Sequence, residues 1–321
     1  MAALSNAGPG PTKRASGRRR SVKFAIRRVG VVGLGHMGRA FATNLIADGH
    51  HVLVHDPYPN RIADLVAAGA HGAAALKDLA ICDVVLTSLP GDDALAEVVL
   101  APDGLVNILA VNAVHISMST VSPILSGRLA EEHATHGQDY VAAPVLGNAE
   151  SARTRELFIL AAGAPSVLAK VRSLLDRLGQ RLFVIGDDAP SANLFKLAAS
   201  VLTATTLECM VEVLALLRKA GIDGQHSFEI LTNSLFDSRV HKSHGAKVVE
   251  GRYGTPGMAV RLVIKDLRLA LVEAEREGVL MPAASLVHDR LVAMAAGGWT
   301  DLDWASLGLI AAVDEGLDDH R

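Results

Sequence analysis

The chain has 321 residues, half of them apolar and a fifth charged, with a formal net charge of −3, which leaves room for two domains of ordinary size. Aromatics make up only 4% of it, against a base-stacking platform for single-stranded nucleic acid. The two cysteines, Cys82 and Cys209, lack both metal-ligand spacing and the density of a disulfide framework, and the histidines form no HxxxH pair on a helix face, so no metal site and a reducing, cytoplasmic setting are expected.

Residues 1–28 carry eight Lys or Arg and no acid. No apolar core follows the positive charges, so this is not a secretory signal. A nucleic-acid arm or a transit-like leader has the same composition, but the expected reading of residues 1–27 is a disordered, dispensable basic tail with no nucleic-acid partner. No run of about 20 purely apolar residues occurs, so no membrane span is expected.

RVGVVG at 28–33 is β-branched and reads as a buried strand ended by Gly33. His36 to Asp48 has helical spacing, and Gly49 stops it. HVLVHD at 51–56 predicts the second strand, broken by Pro57 and Pro59, and Asn60–Ala68 a helix. The alternation continues with strands in CDVVLTSLP, VNAVHIS, DYVAAPV, LFILAAG and RLFVIG, and with helices over Asp92–Leu100 and Ser122–His136. Such alternation implies parallel βαβ units in a doubly wound Rossmann-type sheet over residues 28–189. After GDDAPS the pattern changes. A helix from Ala192 to Ala220, stopped by Gly221, opens an all-helical domain over 190–321, in which no strand is expected.

The stretch GLGHMG, Gly33-Leu34-Gly35-His36-Met37-Gly38, joins the first strand to the first helix. Gly33 permits the tight turn, Gly35 lets a pyrophosphate approach the backbone, and Gly38 lets helix and strand pack closely. The helix start offers free N–H groups and a positive dipole end to phosphates. Asp56 closes the second strand where a carboxylate can accept from the adenosine ribose hydroxyls and repel a 2′-phosphate. NAD is therefore favoured, although Arg61 can reach a 2′-phosphate and leaves NADP open.

Further motifs follow in order: SMSTVSP at Ser117–Pro123, AAPVLGN at Ala142–Asn148, FKLAAS with Lys196, and IKDLRLAL with Lys265 and Asp266. With the glycine loop they resemble the β-hydroxyacid dehydrogenase family, which includes 3-hydroxyisobutyrate dehydrogenases and tartronate semialdehyde reductases. The resemblance covers residue 28 to about 310. It implies hydride transfer between a nicotinamide and a hydroxy acid or its carbonyl form, with Lys196 as general acid/base. It implies that Leu89, Pro90, Thr120 and Lys265 border the cofactor. Ser119, Thr120, Gly147, Asn148 and Ser200 would contact a small-molecule substrate, and a homodimer would form through the helical domain.

Lys196 has Leu194, Phe195, Leu197 and Ala198 as sequence neighbours, an apolar setting that would lower its pKa. The chain departs from the family in three places. Ser200 stands where an asparagine is usual, Leu146-Gly147-Asn148 replaces a carboxylate-gripping Ser-Gly-Gly, and Ser117 replaces an aspartate. The loop change suggests a larger or less polar substrate. His244, with His241, falls in VHKSHG where the helical domain approaches the cleft, and is a candidate substrate contact. The alternatives are an imine reductase-like enzyme, a branch that usually lacks the lysine, and a catalytically silent dinucleotide-binding scaffold.

Overall fold

The computed structural model describes residues 26–254, 257–314 and Gly316. Most of the expected basic tail, residues 1–25, lies outside them. Residues 26 and 27 belong to the folded domain: Ile26 packs against the core, and the Arg27 N–H donates to Asp83 Oδ2 at 2.8 Å.

The first domain begins with β1 (Arg28–Val32), α1 (His36–Ala47), β2 (His51–His55), α2 (Pro59–Ala67) and β3 (His71–Gly72). It continues with β4 (Val84–Thr87), α3 (Asp92–Leu100), α4 (Leu105–Ile108), β5 (Val114–Ser117), α5 (Pro123–Thr135) and β6 (Asp139–Ala142). It closes with β7 (Val145–Leu146), α6 (Ala149–Arg153), β8 (Phe158–Ala162), α7 (Pro165–Leu175) and β9 (Arg181–Gly186). The strand order β3-β2-β1-β4-β5-β6 is parallel throughout, so the strand ends that follow β1, β4 and β5 share one edge. Two buried apolar layers cover the sheet. One holds Val29, Val31, Phe41 and Leu45, the other Val85, Leu95, Leu129 and Tyr140.

Two strand expectations need correction. The sequence predicts one strand across Asp139–Val145, but β6 ends at Ala142, and Pro144, which has no N–H to donate to a ladder, separates it from β7. The sheet is also not parallel throughout. β7 and β8 form an antiparallel pair, Leu146 opposite Phe158, with α6 in their connection, so β8 runs against β6 and only β9 is parallel to it. Helix α7 is absent from the sequence reading, although Pro165 in its first turn and Val167, Leu168, Val171, Leu174 and Leu175 on one face announce it.

The second domain is α8 (Ala189–Lys219), α9 (Gly224–Thr232), α10 (Arg239–Val249), α11 (Val260–Arg276), α12 (Pro282–Ala296) and α13 (Leu307–Asp314). Helix α8 starts three residues earlier than expected, because Pro190 fits its first turn, where a missing N–H costs nothing. Of the described helices, α8 alone has the length and apolarity to cross a bilayer, and half of its apolar window is buried inside the protein. Glu208, near its middle, pairs with Arg290 of α12 at 2.7 Å.

A polar chain crosses the core of the first domain. Gln138 Nε2 donates to the Val106 and Leu109 carbonyls at 3.0 and 2.8 Å, which leaves Gln138 Oε1 to accept from His133 Nδ1 at 2.7 Å. His133 Nε2 then accepts from His115 Nδ1 at 2.8 Å, and His115 Nε2 from the Thr87 hydroxyl at 2.9 Å. Both imidazoles are neutral in this arrangement. Burial pushes the His115 pKa well below its ordinary 6.5 and that of His133 down to about 4. His244, set edge-on against Trp304, is likewise lowered to about 4 by burial.

Histidines held neutral in the fold take up protons on unfolding once the pH falls below 6.5. Stability from these three groups is complete above that value and is lost as pH falls from 6.5 toward 4. Unfolding at pH 5 should take up about three protons at these sites, read from calorimetric enthalpies in buffers of different ionisation heat. Uptake near zero would mean that the histidines are solvated in the folded protein.

Candidate active site

The glycine loop leaves β1 at Gly33, which has φ +86°. A β-carbon there would lie 2.4 Å from the Ser88 carbonyl oxygen, and one on Gly38 would lie 1.8 Å from the Gly33 carbonyl oxygen. Neither position accepts a side chain. Gly35 is different: nothing lies within 4 Å of the place its β-carbon would take. The fold itself does not need a glycine there, and its absent side chain leaves this stretch of backbone open to the approach of a ligand. Gly35 is also the N-cap of α1, with no side-chain cap and no acid in the first turn. The N–H groups of His36, Met37 and Gly38 thus stay without helical partners and suit an anion.

Asp56 is buried at the end of β2. Its Oδ2 accepts from the Leu34 N–H at 2.7 Å and its Oδ1 from the Tyr58 N–H at 2.9 Å, which ties the glycine loop to β2. A carboxylate has about four acceptor sites; the two backbone donors take two, and Arg61 reaches the others only at 3.3 and 3.5 Å, long contacts that ribose hydroxyls could replace. Arg61 pairs with the same carboxylate at 3.3 Å and stacks on the Tyr58 ring. Open backbone at Gly35, unpartnered N–H groups and a carboxylate at the second strand end fit a dinucleotide.

A second group of residues gathers where the two domains meet. Ser119 Oγ accepts from the Leu89 N–H at 2.9 Å, so the Ser119 hydroxyl fixes the Leu89–Pro90 turn. Lys265, from α11, donates to the Thr120 carbonyl at 2.5 Å and pairs with Asp266 Oδ1 at 2.9 Å. The Lys265 stem passes Gly91, where a β-carbon would stand 3.2 Å from it. Ser200, one helical turn beyond Lys196, donates from Oγ to Asp266 Oδ2 at 3.1 Å. Loss of water around Lys196 lowers its ammonium pKa from the ordinary value. The nearby Asp266 carboxylate opposes this, and the Lys265 cation adds to it.

Of the residues singled out from sequence, Leu89, Ser119, Thr120, Lys196, Ser200 and Lys265 come together here. The sequence neighbours that suggested an apolar setting do not all supply it: Leu194 and Phe195 are 44% and 50% exposed, and only Leu197 among the larger ones turns inward. Gly147, at φ +134°, and Asn148, which caps α6 through the Ser151 N–H, sit beyond β7 at the edge facing Gly257 of the helical domain. His244 is not brought to Lys196. The adjacent Gly245 lies against Met210, which is about 21 Å along α8 from Lys196 at 1.5 Å per residue. Asp266, Asn193 and Gly91 carry more of the site than the sequence suggested. Asn193 is fully buried, and its amide reaches the Ser119 carbonyl at 3.5 Å. Asp266 gave a usable signal as an acid on the inward face of an amphipathic helix. Among the described residues, no group of three or more His, Cys, Asp or Glu side chains is placed to hold a metal ion.

A Rossmann domain with a dinucleotide cradle, joined by one long helix that holds a lysine at its junction with a helical domain, defines an NAD(P)-dependent oxidoreductase. Residues 28–186 match the NAD binding domain of 6-phosphogluconate dehydrogenase, and residues 191–309 the NAD-binding domain of NADP-dependent 3-hydroxyisobutyrate dehydrogenase. The chain is 35% identical over 281 residues to the uncharacterized oxidoreductase YfjR of Bacillus subtilis, covering 87% of this chain and 98% of that one. It is 30% identical over 290 residues to 3-hydroxyisobutyrate dehydrogenase of Pseudomonas aeruginosa, covering 87% and 96%. The solved 3-hydroxyisobutyrate dehydrogenase of Salmonella typhimurium has the same fold, with a TM-score of 0.81 at 24% identity over 88% of this chain and 99% of that one. The chain belongs to the β-hydroxyacid dehydrogenase family. An imine reductase from Pseudomonas sp. is a more distant structural relative, with a TM-score of 0.62 over 89% of this chain and 99% of that one.

The two helix-side glycines should separate folding from cofactor binding. Gly35→Ala should keep its melting temperature within about 4 °C of wild type, since the exchange at an N-cap costs roughly 1 kcal/mol or less. It should weaken NADH binding about a hundredfold by blocking the pyrophosphate. Gly38→Ala should instead lower the melting temperature sharply. NADH titration and thermal melts of both variants decide it, and unaltered NADH binding by Gly35→Ala would move the pyrophosphate elsewhere.

Proposed function

We propose that the protein interconverts the hydroxyl and carbonyl forms of a small hydroxy acid, with Lys196 moving the hydroxyl proton. The observation that carries this reading is the placing of Lys196 at the domain junction with its pKa lowered by loss of water and by Lys265. A lysine so tuned can release and regain a proton nearer neutral pH than one in water. The names of relatives agree on the substrate class: one is the P. aeruginosa 3-hydroxyisobutyrate dehydrogenase, another a 2-hydroxy-3-oxopropionate reductase of Escherichia coli. The presence of Lys196 argues against the imine reductase reading.

The nicotinamide, when bound, supplies or accepts the hydride. The chain's own residues do the rest. Backbone N–H groups at the start of α1 and the Asp56 carboxylate would hold the two ends of the dinucleotide's adenosine diphosphate portion. Leu89 and Pro90, held by Ser119, and Thr120, held by Lys265, would border the nicotinamide end. Ser200 has committed its proton to Asp266, so toward a substrate hydroxyl it can only accept. Gly147 and Asn148 would face the substrate.

NADH is the preferred cofactor in this reading, because Asp56 both offers acceptors to the ribose and ties up Arg61. A homodimer is proposed through α8, whose outward residues Phe195, Leu202, Cys209, Val213 and Leu216 recur at helix-pairing intervals and are exposed. A reducing, cytoplasmic setting suits the exposed free thiol of Cys209.

Lys196→Met should lower turnover about 10²–10⁴-fold, the usual worth of general acid/base catalysis, and leave NADH affinity nearly unchanged. Lys196→Arg should fail almost as badly, since a guanidinium keeps its proton. The assay is turnover on substrates found by screening hydroxy acids, aldehydes and keto acids with both cofactors. A Lys196→Met enzyme that keeps most of its turnover would overturn the assignment.

Asp56→Ala should weaken NADH and relatively improve NADPH. A wild-type preference for NADPH of about tenfold, or 1.4 kcal/mol, would show that Arg61 governs the adenosine end instead.

A further inference from the structure

Helix α10, RVHKSHGAKVV, has three cations and no acid in a chain whose net charge is −3. Lys242 is engaged by Asp237 at 2.6 Å. Arg239 and Lys247 both turn toward the first domain. The Arg239 guanidinium lies 5.3 Å from the centroid of the Phe158 ring, and Phe158 is the strand partner of Leu146. Lys247 Nζ and Asn148 Cβ both come within 4 Å of one point, the place a β-carbon on Gly257 would occupy, at 3.2 and 3.9 Å. The two cations therefore flank the edge on which Leu146, Gly147 and Asn148 stand.

Lys247 is held but not used up. Asp303, which is fully buried, accepts from Lys247 Nζ at 2.6 Å and from the Gly257 N–H at 2.7 Å through one oxygen, and from the Ala305 N–H at 3.0 Å through the other. Two backbone donors thus share the carboxylate with the ammonium. An ammonium has three donors, and the Lys247 side chain is 19% exposed. The loop opposite has little of its own to offer an anion: Leu146 is apolar, and the Asn148 side-chain oxygen is committed to the Ser151 N–H.

We propose that α10 is the anion-recognising wall of the substrate cleft. The substrate carries a carboxylate at the end remote from its reacting carbon, received by Lys247 opposite Asn148, with Arg239 at the mouth. This rests on the hydroxy-acid reading and narrows it to diacid-like substrates. Lys247 is a specificity-determining residue here, and the Asp303 carboxylate positions it.

The test is binding by the NADH-loaded enzyme of succinate and of glutarate, each against its monoamide, by isothermal titration at low salt. Wild type should bind at least one diacid about tenfold more tightly than its monoamide, as a charge-assisted hydrogen bond to a partly exposed ammonium allows. Lys247→Met should erase that preference while NADH and monoamide affinities stay within about twofold, and Lys247→Arg should keep most of it. Should Lys247→Met not fold, with Asp303 left unpaired, Arg239→Gln on the exposed end should reduce the preference about threefold. Wild type that binds neither diacid better than its monoamide, or binds neither at all, overturns the proposal. So does a preference that survives Lys247→Met, or Arg239→Gln where only that variant folds. A failure of the Lys196 prediction would remove the reductase reading and leave this binding ratio to stand or fall separately.

Discussion

One helix belongs to two hydrophobic cores, and the rest of the architecture follows from that. Ala189 and Ala192, at the start of α8, are buried in the core of the Rossmann domain, whereas Leu197, Val201, Ala204 and Leu207 are buried in the core of the helical domain. Lys196 falls on the short interval between them. At 1.5 Å per residue, 31 residues make a rod about 46 Å long. Its register cannot shift without pulling alanines from one core or leucines from the other, at a cost of roughly 1 kcal/mol or more for each larger side chain exposed. A side chain on such an element is held more rigidly than one on a loop. The helix also sets how the domains face one another, and Lys265 adds a direct bond from α11 to the Thr120 carbonyl.

The charges at the junction are balanced so that Lys196 is only partly satisfied. Two ammonium groups lie near one buried carboxylate, and only that of Lys265 pairs with it. Asp266 gives one oxygen to Lys265 and the other to the Ser200 hydroxyl. Had Asp266 paired directly with Lys196, the ammonium would be held charged and could not act as a base. Lys265 is drawn away by the Thr120 carbonyl, yet stays near enough to disfavour a second positive charge. The serine at position 200 belongs to this arrangement, since its hydroxyl gives its proton to the carboxylate and keeps only its lone pairs for a second partner.

The Rossmann core was legible because its signals are local. β-Branched runs, glycines at fixed offsets and an acid at the second strand end all act within about 30 residues of one another. The antiparallel turn of β8 was not legible, since it depends on which strand Leu146 pairs with, a choice made by tertiary packing and not by the alternation of elements. Within the site, the motifs carrying Ser119, Thr120, Lys196 and Lys265 pointed to residues that do converge, although they come from four separate segments. His244 shows the limit. Its position in the sequence suggested the cleft, but α10 packs closely through Gly245, where a β-carbon would meet the Met210 and Phe228 side chains at 2.2 and 2.7 Å, and the histidine turns into its own domain against Trp304. The same packing brings Lys247 to Asn148, a neighbour that no local pattern announces.

The histidine chain links the far layer of the first domain to the cofactor loop. Its direction is set at one end only. Both amide hydrogens of Gln138 go to backbone carbonyls, so each imidazole in turn must donate from Nδ1 and accept at Nε2, and the Thr87 hydroxyl must donate. Reversing any member would set two donors or two acceptors face to face in a buried site, at a cost of about 1–3 kcal/mol. Thr87 is the last residue of β4, and its carbonyl accepts from the Met118 N–H. The next residue, Ser88, donates to the Val32 carbonyl and presents its own carbonyl to the surface that Gly33 must pass without a β-carbon. The wall beneath the glycine loop is thereby anchored by backbone bonds on both sides and by a side-chain bond from below. A neutral, unidirectional chain suits that duty better than an ion pair would, because it adds no charge to the core beneath the glycine loop.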